Sequence, residues 1–418
     1  MEYCSIGELC FITKGSTGIM KAVPGPYPLV TTGPDRKSSN EYEFDDEAVC
    51  IPLVSSTGHG HKSLNYIHYQ SGKFALGSIL AAVIPKDKSV LSAEYLQRYL
   101  FFFKDRLVVS LMKGAANVSL AIKDIAKIKV PVPPISKQKE FIELFNKAES
   151  GKYDLLFENQ KQSTCLTKLR QAILQEAIEG KLTAGWRKEN PFRKGDPDYD
   201  AKALLEKINE EKEKLIKEGK IRKTNTLAPI MTEEMQFTLT KNWEYVRTED
   251  ICIISTGKMD ANEGDDRGLY NFYTCAQEPI KSNTFSFYGK CLILPGNGAN
   301  VGFSRLVNEM FEAYQRTYVL TDFIRVLPEY IHVVYKGLWK NCLGTQYGSA
   351  INYIRLANIT DFIIPLPPLA EQQAIVDRVE KLLSMVDELE KQVFERKEQS
   401  EQLMQAVLRE AFEGGNHA

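Results

Sequence analysis

The octapeptide PVPPISKQ occupies residues 131–138, and PLPPLAEQ occupies residues 365–372; each stands just ahead of a long polar stretch rich in helix formers. At a constant offset of 234, residues 131–180 align with 365–414 without a gap, and 15 of the 50 positions are identical. The far ends agree best, LRQAILQEAIEG (169–180) answering LMQAVLREAFEG (403–414). Upstream, KGAANVSLAIKDI (113–125) lies opposite YGSAINYIRLANI (347–359), and CFITKG (10–15) resembles CIISTG (252–257) at an offset of 242. An internal repeat of this kind sets the architecture before any single motif does. The chain reads as module, helix, linker, module, helix.

The octapeptides mark a change of structure. Proline has no amide to give a sheet ladder, so the run ends a strand. In the first turn of a helix that amide would have no partner anyway, so the same prolines suit a helix start. IKVPVPPI and FIIPLPPL are each expected to close a strand and launch a helix.

The second helix carries Ile375, Val379, Leu382, Val386, Leu389, Val393, Arg396, Ser400, Leu403 and Val407 in steps of four and three, a heptad seam with a polar break. The first carries Phe141, Phe145, Ala148, Lys152, Leu155, Asn159, Gln162, Leu166, Leu169 and Ile173 in the same register. About 45 residues of helix make a rod of roughly 65 Å. The simplest way to bury both seams is to pair them; packing each on its own domain is the other solution.

Short apolar runs fill the modules: AVCIPLV (48–54), SILAAVIP (78–85), CLILP (291–295) and TYVLTDFIRVLP (317–328), bounded by Gly, Pro, Asn and Ser. Their length and punctuation favour strands. One helix per module is expected, near 92–108 and near 328–341. Five segments follow: a first module over 1–130, a helix over 131–185, a linker with a charged helix over 186–242, a second module over 243–364 and a helix over 365–414. The charges of AKALLEKINEEKEKLIKEGK (201–220) read as a solvated face.

The 418 residues carry a net charge of −1, which does not by itself announce a nucleic-acid binder. Residues 1–130 are net +3, 243–364 net −2 and 365–418 net −5, so any nucleic-acid surface is a local patch. With no apolar run of membrane length and no basic-then-apolar N-terminus, the expected compartment is the cytoplasm. The eight cysteines stand singly without a CxxC, the pattern of reduced, mostly buried thiols rather than of zinc. His59, His61 and His68 cluster in STGHGHKSLNYIH (56–68), where polar contacts from an exposed loop suit the glycine context better than a metal. No phosphate-binding loop, nucleophile elbow or HExxH helix appears. PGNGANVG (295–302) is glycine-rich without being GxGxxG, and Asn190-Pro191-Phe192 lacks the second proline of an amino-methyltransferase turn.

PLPPLAEQQAIVDRVEKLL, the later LRQAIL and EAIEGKL strings and the two dissimilar modules resemble the specificity subunits of type I restriction–modification enzymes. The resemblance spans essentially the whole chain. It implies an α+β protein: two similar mixed α/β, β-rich recognition modules separated by a long antiparallel two-helix coiled coil. Each module would read one half of a bipartite double-stranded DNA target, the helices setting the gap. Two methyltransferase subunits binding S-adenosylmethionine would dock on the helices, and restriction subunits using ATP and magnesium would join; the chain would hold no cofactor of its own. Two other readings stand beside it: a related two-subunit system with a fused methylase–nuclease partner, and a self-sufficient DNA-modifying enzyme, for which the motifs are missing.

Two departures from the family pattern matter. The octapeptide's Glu is kept as Glu371 but replaced by Lys137, losing a favourable charge at a helix N-terminus. The lead-in Asn242-Trp243-Glu244 of the second module has no counterpart ahead of YCSIGELC. DNA contact calls for Lys and Arg on phosphates and directional donors and acceptors on base edges. The candidates are Arg36, Lys37, His59, His61, Lys62, Asn65 and Asn117 in the first module, and Lys258, Arg267, Asn297, Asn300, Arg305, Arg316, Gln346 and Asn352 in the second. Asn and Gly at 296–302 equally suit a turn.

Overall fold

The structure, a computed structural model, describes residues 2–57, 60–115, 117–221, 230–231, 237–343 and 352–413. It divides into two compact units, residues 1–160 with the chain from Phe394 onward, and Lys161–Val393. The long helices Ile135–Ile178 and Leu369–Glu413 each contribute to both units.

In the first unit, a four-stranded antiparallel sheet runs in the order Cys10–Lys14, Leu80–Pro85, Ala48–Pro52, His68–Gln70. A smaller sheet orders Lys37–Ser39, Tyr27–Val30, Lys73–Leu76 and Phe44–Asp45, its second and third strands parallel. Ala48–Pro52 is apolar throughout because both its faces are covered. Val49 and Ile51 point into the main core, with helix Ala93–Phe102, while Ala48 and Cys50 join the smaller cluster of Val30, Phe74 and Leu76. That is the period-two alternation of a strand lying between two layers.

The second unit repeats the plan. Its larger sheet runs Ile253–Thr256, Thr317–Thr321, Lys290–Pro295, Arg305–Asn308, and its smaller one Ile280–Ser282, Tyr270–Tyr273, Phe311–Ala313. Leu292 and Leu294 face the main core; Cys291 and Ile293 face the smaller cluster. The expected helix near 328 starts with Pro328 in its first turn and after Val334 widens into a π-helical turn, Tyr335–Trp339. The charged helix, Ala201–Lys217, is no free spacer: Ala201, Leu204 and Ile208 are buried, the last two in this unit's core.

Each octapeptide follows a short antiparallel ribbon. Tyr3–Ser5 pairs with Lys129–Pro131, and Glu244–Arg247 pairs with Ile363–Leu366, placing Tyr3 opposite Pro131 and Tyr245 opposite Pro365. The helices begin at Ile135 and Leu369, as the proline pattern predicts. The octapeptide glutamines are fully buried and make matching bonds. Gln138 Nε2 donates to Pro133 O at 2.8 Å, and its Oε1 accepts from the backbone N–H of Ser92, the N-cap of the first module's helix, at 2.8 Å. Gln372 Nε2 donates to Pro367 O at 3.1 Å, and its Oε1 accepts from the N–H of Leu327, the N-cap of the second module's helix, at 2.9 Å. Tyrosines from those same helices add a second tie, Tyr95 to Pro131 O at 3.4 Å and Tyr330 to Pro365 O at 2.7 Å.

The neighbouring position is where the copies part. Glu371 is only 2% exposed and accepts from Thr183 Oγ1 at 2.7 Å, Trp243 Nε1 at 2.9 Å and the Arg187 guanidinium. Arg187 also donates to Gly180 O at 2.7 Å. Glu371 thus adds to its charge in the helix's first turn a four-way junction of octapeptide, helix end, linker and lead-in. Lys137 is exposed and pairs with Glu140, one turn along its own helix.

Within each unit the two helix segments run in opposite directions. In the first, Phe412 packs among Phe141, Phe145 and Tyr95; in the second, Arg170 pairs with Asp387 and with Glu390 Oε2, the latter at 2.9 Å. Phe145, Ile173, Ile375, Val379 and Val386 are buried; Phe141, Leu155, Leu166, Leu382 and Val393 are half-buried. Leu169, Leu389, Leu403 and Val407 are exposed instead, Leu403 by 66%. Half-buried Arg170 takes the inward place expected of Leu169, and Leu408 and Phe412 take those expected of the later seam. A 3.6-residue helix drifts about 20° per heptad from a 3.5-residue pattern, so over five heptads the inward face moves by roughly one residue.

Replacing Glu371 by Lys buries an unpaired cation beside Arg187 and is expected to cost about 3–5 kcal/mol. Lys137→Glu, at an exposed site, should stay within about 0.5 kcal/mol. Urea unfolding of both variants checks this; equal losses would mean that the junction does not hold the second unit together.

Candidate nucleic-acid interface

In each module a loop leaving the central strand of the larger sheet meets the segment that precedes the final ribbon. In the first, Val54 bridges to Ser119, Ser55 N–H donates to Val118 O at 3.1 Å, and Ser55 Oγ donates to His61 O at 2.5 Å. Ser63 N–H returns to Ser55 Oγ, and Asn65 N–H is held by Ser56 Oγ at 3.0 Å. Exposed His61, Lys62, Asn65 and Asn117 therefore share one pair of loops. His59 lies outside the described residues.

The second module closes the corresponding loops with Asn297 bridged to Tyr353, Gly298 N–H donating to Asn352 O at 2.8 Å, and Ile354 N–H donating to Gly296 O at 2.9 Å. Asn300 Nδ2 donates to Cys275 O at 2.8 Å, and Gly296 N–H donates to Arg316 O at 2.9 Å. Lys258 sits on the adjoining run, where Gly257 N–H donates to Thr317 O and Met259 O accepts from Gln315 N–H. Lys258, Asn297, Asn300, Arg316 and Asn352 are thus brought together. Gln346 lies outside the described residues, and Arg267 stands apart in a turn held by Asp265. Two cations escaped the sequence reading. Lys340 packs against Gly302, whose φ of +98° suits a glycine, and Arg355 lies two residues beyond Tyr353. Lys340 lies on a helix, where only the packing reveals it, and Arg355 stands at the end of the same stretch as Asn352.

Two arginines occupy more intricately bonded places. Arg36 is turned inward: Nε donates to Gln70 Oε1 at 2.9 Å, Nη1 to His68 Nδ1 at 3.1 Å and Nη2 to Tyr69 O at 3.2 Å. Its neighbour Lys37 is exposed at the end strand of the smaller sheet. Arg305 lies over the Tyr273 and Phe303 rings at 5.5 and 5.7 Å and donates to Gln277 O. Glu309 accepts from Asn271 Nδ2 at 2.9 Å and from the Tyr273 hydroxyl, buttressing that ring.

Burial, and then the Arg36 cation, pull the His68 pKa down to about 4. His332 donates Nε2–H to Ser304 O at 3.2 Å, and burial followed by Lys336 lowers it to about 4 as well. Burial raises the Cys10 and Cys50 thiols to about 12. Among the described residues no group of three His, Cys, Asp or Glu side chains is placed to hold a metal, and no helix is long and apolar enough to cross a membrane.

The unfolded histidines titrate near 6.5, so between about 6.5 and about 4 the unfolded chain binds more protons than the folded one. The stability that neutral His68 and His332 contribute is complete above about 6.5 and is lost as pH falls through that window. Replacing both by Gln should flatten the fall of the urea midpoint across it. An unchanged pH slope would show that neither ring is held neutral.

The family model described as type I restriction modification DNA specificity domain matches the chain twice, over residues 1–162 and 240–396. The chain is 27% identical over 397 residues to the EcoKI type I restriction enzyme specificity subunit of Escherichia coli strain K12, covering 90% of this chain and 76% of that one. It is 34% identical over 174 residues to the EcoDI specificity subunit of Escherichia coli, a match spanning 41% of this chain and 38% of that subunit's length. Among solved structures, the HsdS subunit from Thermoanaerobacter tengcongensis aligns over 99% of this chain and 96% of that one, with TM-score 0.56 and 15% identity. A chain from a study of assembly and conformational transition of the type I R-M system aligns over 99% and 97%, with TM-score 0.63 and 15% identity. These likenesses agree with a fold of two mixed modules on paired long helices.

Proposed function

The chain belongs to the type I restriction modification DNA specificity family, and from that premise we propose that it is the DNA-reading subunit of a restriction–modification complex. Each module reads one half of a bipartite double-stranded target. The observation that carries this reading is the convergence, at the corresponding place in both modules, of Asn and cationic side chains on two clasped loops, Lys62 in the first and Lys258 and Arg316 in the second. Such loops offer cations to phosphates and amides to base edges, the two ingredients of sequence-specific binding. The net charge of −2 over residues 243–364 does not oppose it, because Lys258, Arg316, Lys340 and Arg355 stand about the loops and outnumber Asp260, which Gln315 bonds there.

The chain itself transfers no methyl group and cuts no bond. Two methyltransferase subunits supply S-adenosylmethionine, and restriction subunits supply ATP and magnesium chemistry. The helices present Tyr153, Phe157, Met385, Phe394 and Leu403 to solvent, apolar surface for such subunits to cover.

Mapping methylated bases in a host carrying the chain and its partners tests the reading directly. Arg305→Ala should cost about 1–3 kcal/mol of discrimination at a position in one half of the target and leave the other half unchanged. Both halves changing together would defeat the assignment of one half to each module. Binding of the complex should also weaken about a thousand-fold or more between about 50 and about 200 mM salt if six or more phosphates are held. A flat salt response would contradict phosphate contact. The purified chain alone, given labelled S-adenosylmethionine and DNA, should transfer no label.

A further inference from the structure

Strand register allows the two modules to be compared residue by residue. Cys50 lies opposite Ala82 on one side and His68 on the other; Ile293 lies opposite Val319 and Arg305. His68 and Arg305 therefore hold the same place, at the start of the outer strand of the larger sheet. Two residues earlier stand Tyr66 and Phe303, both with exposed rings. The same six-residue loop, 31–36 or 274–279, leans on this place in each module, through Arg36 in one and Gln277 in the other.

The chemistry offered outward is opposite. In the second module the guanidinium rises from the strand and lies over two rings, giving one N–H to Gln277 O. In the first, the guanidinium comes from the loop and spends all three nitrogens on Gln70, His68 and Tyr69. His68 is the acceptor and carries no charge, and the Tyr66 ring stacks on it at 5.7 Å with the planes 9° apart. Both places adjoin the clasped loops: Asn65 precedes Tyr66 and is tied to Ser56, and Phe303 N–H donates to Asn300 O at 3.0 Å.

We propose that this corner of the larger sheet, the start of its outer strand and the two residues ahead of it, touches DNA in both modules, through the Arg305 cation in the second and through the Tyr66 ring in the first. Tyr66 is then a specificity-determining residue that meets the apolar edge of a base or its sugar, and Arg36 is a positioning residue that acts through His68. The proposal rests on the reading of the chain as a two-headed DNA reader.

The test uses the full chain assembled with its methyltransferase subunits and a fluorescent duplex carrying the mapped target, titrated over a salt series. Tyr66→Ala should weaken binding roughly ten-fold, the scale of one aromatic contact to a base, without changing the slope of log affinity against log salt. Tyr66→Phe should bind like the parent. Arg305→Ala should lower that slope by about one, and Tyr66→Arg, which adds a cation two residues from the place matching Arg305, should raise it by about one. Tyr66→Ala binding within two-fold of the parent would overturn the proposal, as would a salt slope unmoved by Tyr66→Arg. A drop of about one in the slope for Arg36→Gln would overturn it as well, by showing Arg36 on a phosphate. Failure of the parent complex to prefer its mapped duplex over a scrambled one would instead refute the two-headed reading beneath it.

Discussion

The buried side-chain amide of the octapeptide glutamine is the contact on which each module depends. One end of Gln138 or Gln372 ties the octapeptide back on itself at Pro133 or Pro367. The other end takes the otherwise unpaired N–H at the N-cap of the module's own helix. A buried donor left without an acceptor costs the full desolvation of that group, so this one residue couples the start of the long helix to the seating of the module. The tyrosine bonds to the Pro131 and Pro365 carbonyls reinforce the same coupling.

The difference between the copies follows from what surrounds them. Glu371 is stabilised because Arg187, Thr183 and Trp243 converge on it from the linker and the lead-in strand. Lys137 faces solvent and pairs with its helical neighbour Glu140. A carboxylate is worth burying only where donors surround it. Glu371 and the Trp243 lead-in of the second copy are thus parts of one structural fact.

Much of the site was legible in the sequence, for reasons that differ by residue. Asn297, Asn300, Asn352 and Lys258 stand in stretches punctuated by Gly and Asn, and such stretches become the loops that the fold clasps together. Arg36 sits in an equally loop-like stretch, yet its guanidinium turns inward, because His68, Gln70 and the Tyr69 carbonyl on a neighbouring sheet face it. Lys340 escaped notice because it lies on a helix, and Tyr66 because one aromatic in LNYIHY (64–69) does not stand out from the residues around it.

The repeat, the strand-to-helix hinge and the doubly covered strands are determined by the sequence alone, because they rest on local properties: proline's missing amide, turn residues and the spacing of apolar side chains. Which face of each long helix turns inward was decided by the tertiary structure. A heptad pattern written in 3.5-residue steps is carried on a 3.6-residue helix, and packing settles the accumulated difference in favour of Arg170, Leu408 and Phe412. The charge presented at the matched outer strands is likewise a tertiary property. It depends on whether a neighbouring loop brings an arginine to be neutralised by bonding, as at His68, or a carbonyl to hold one in place, as at Arg305.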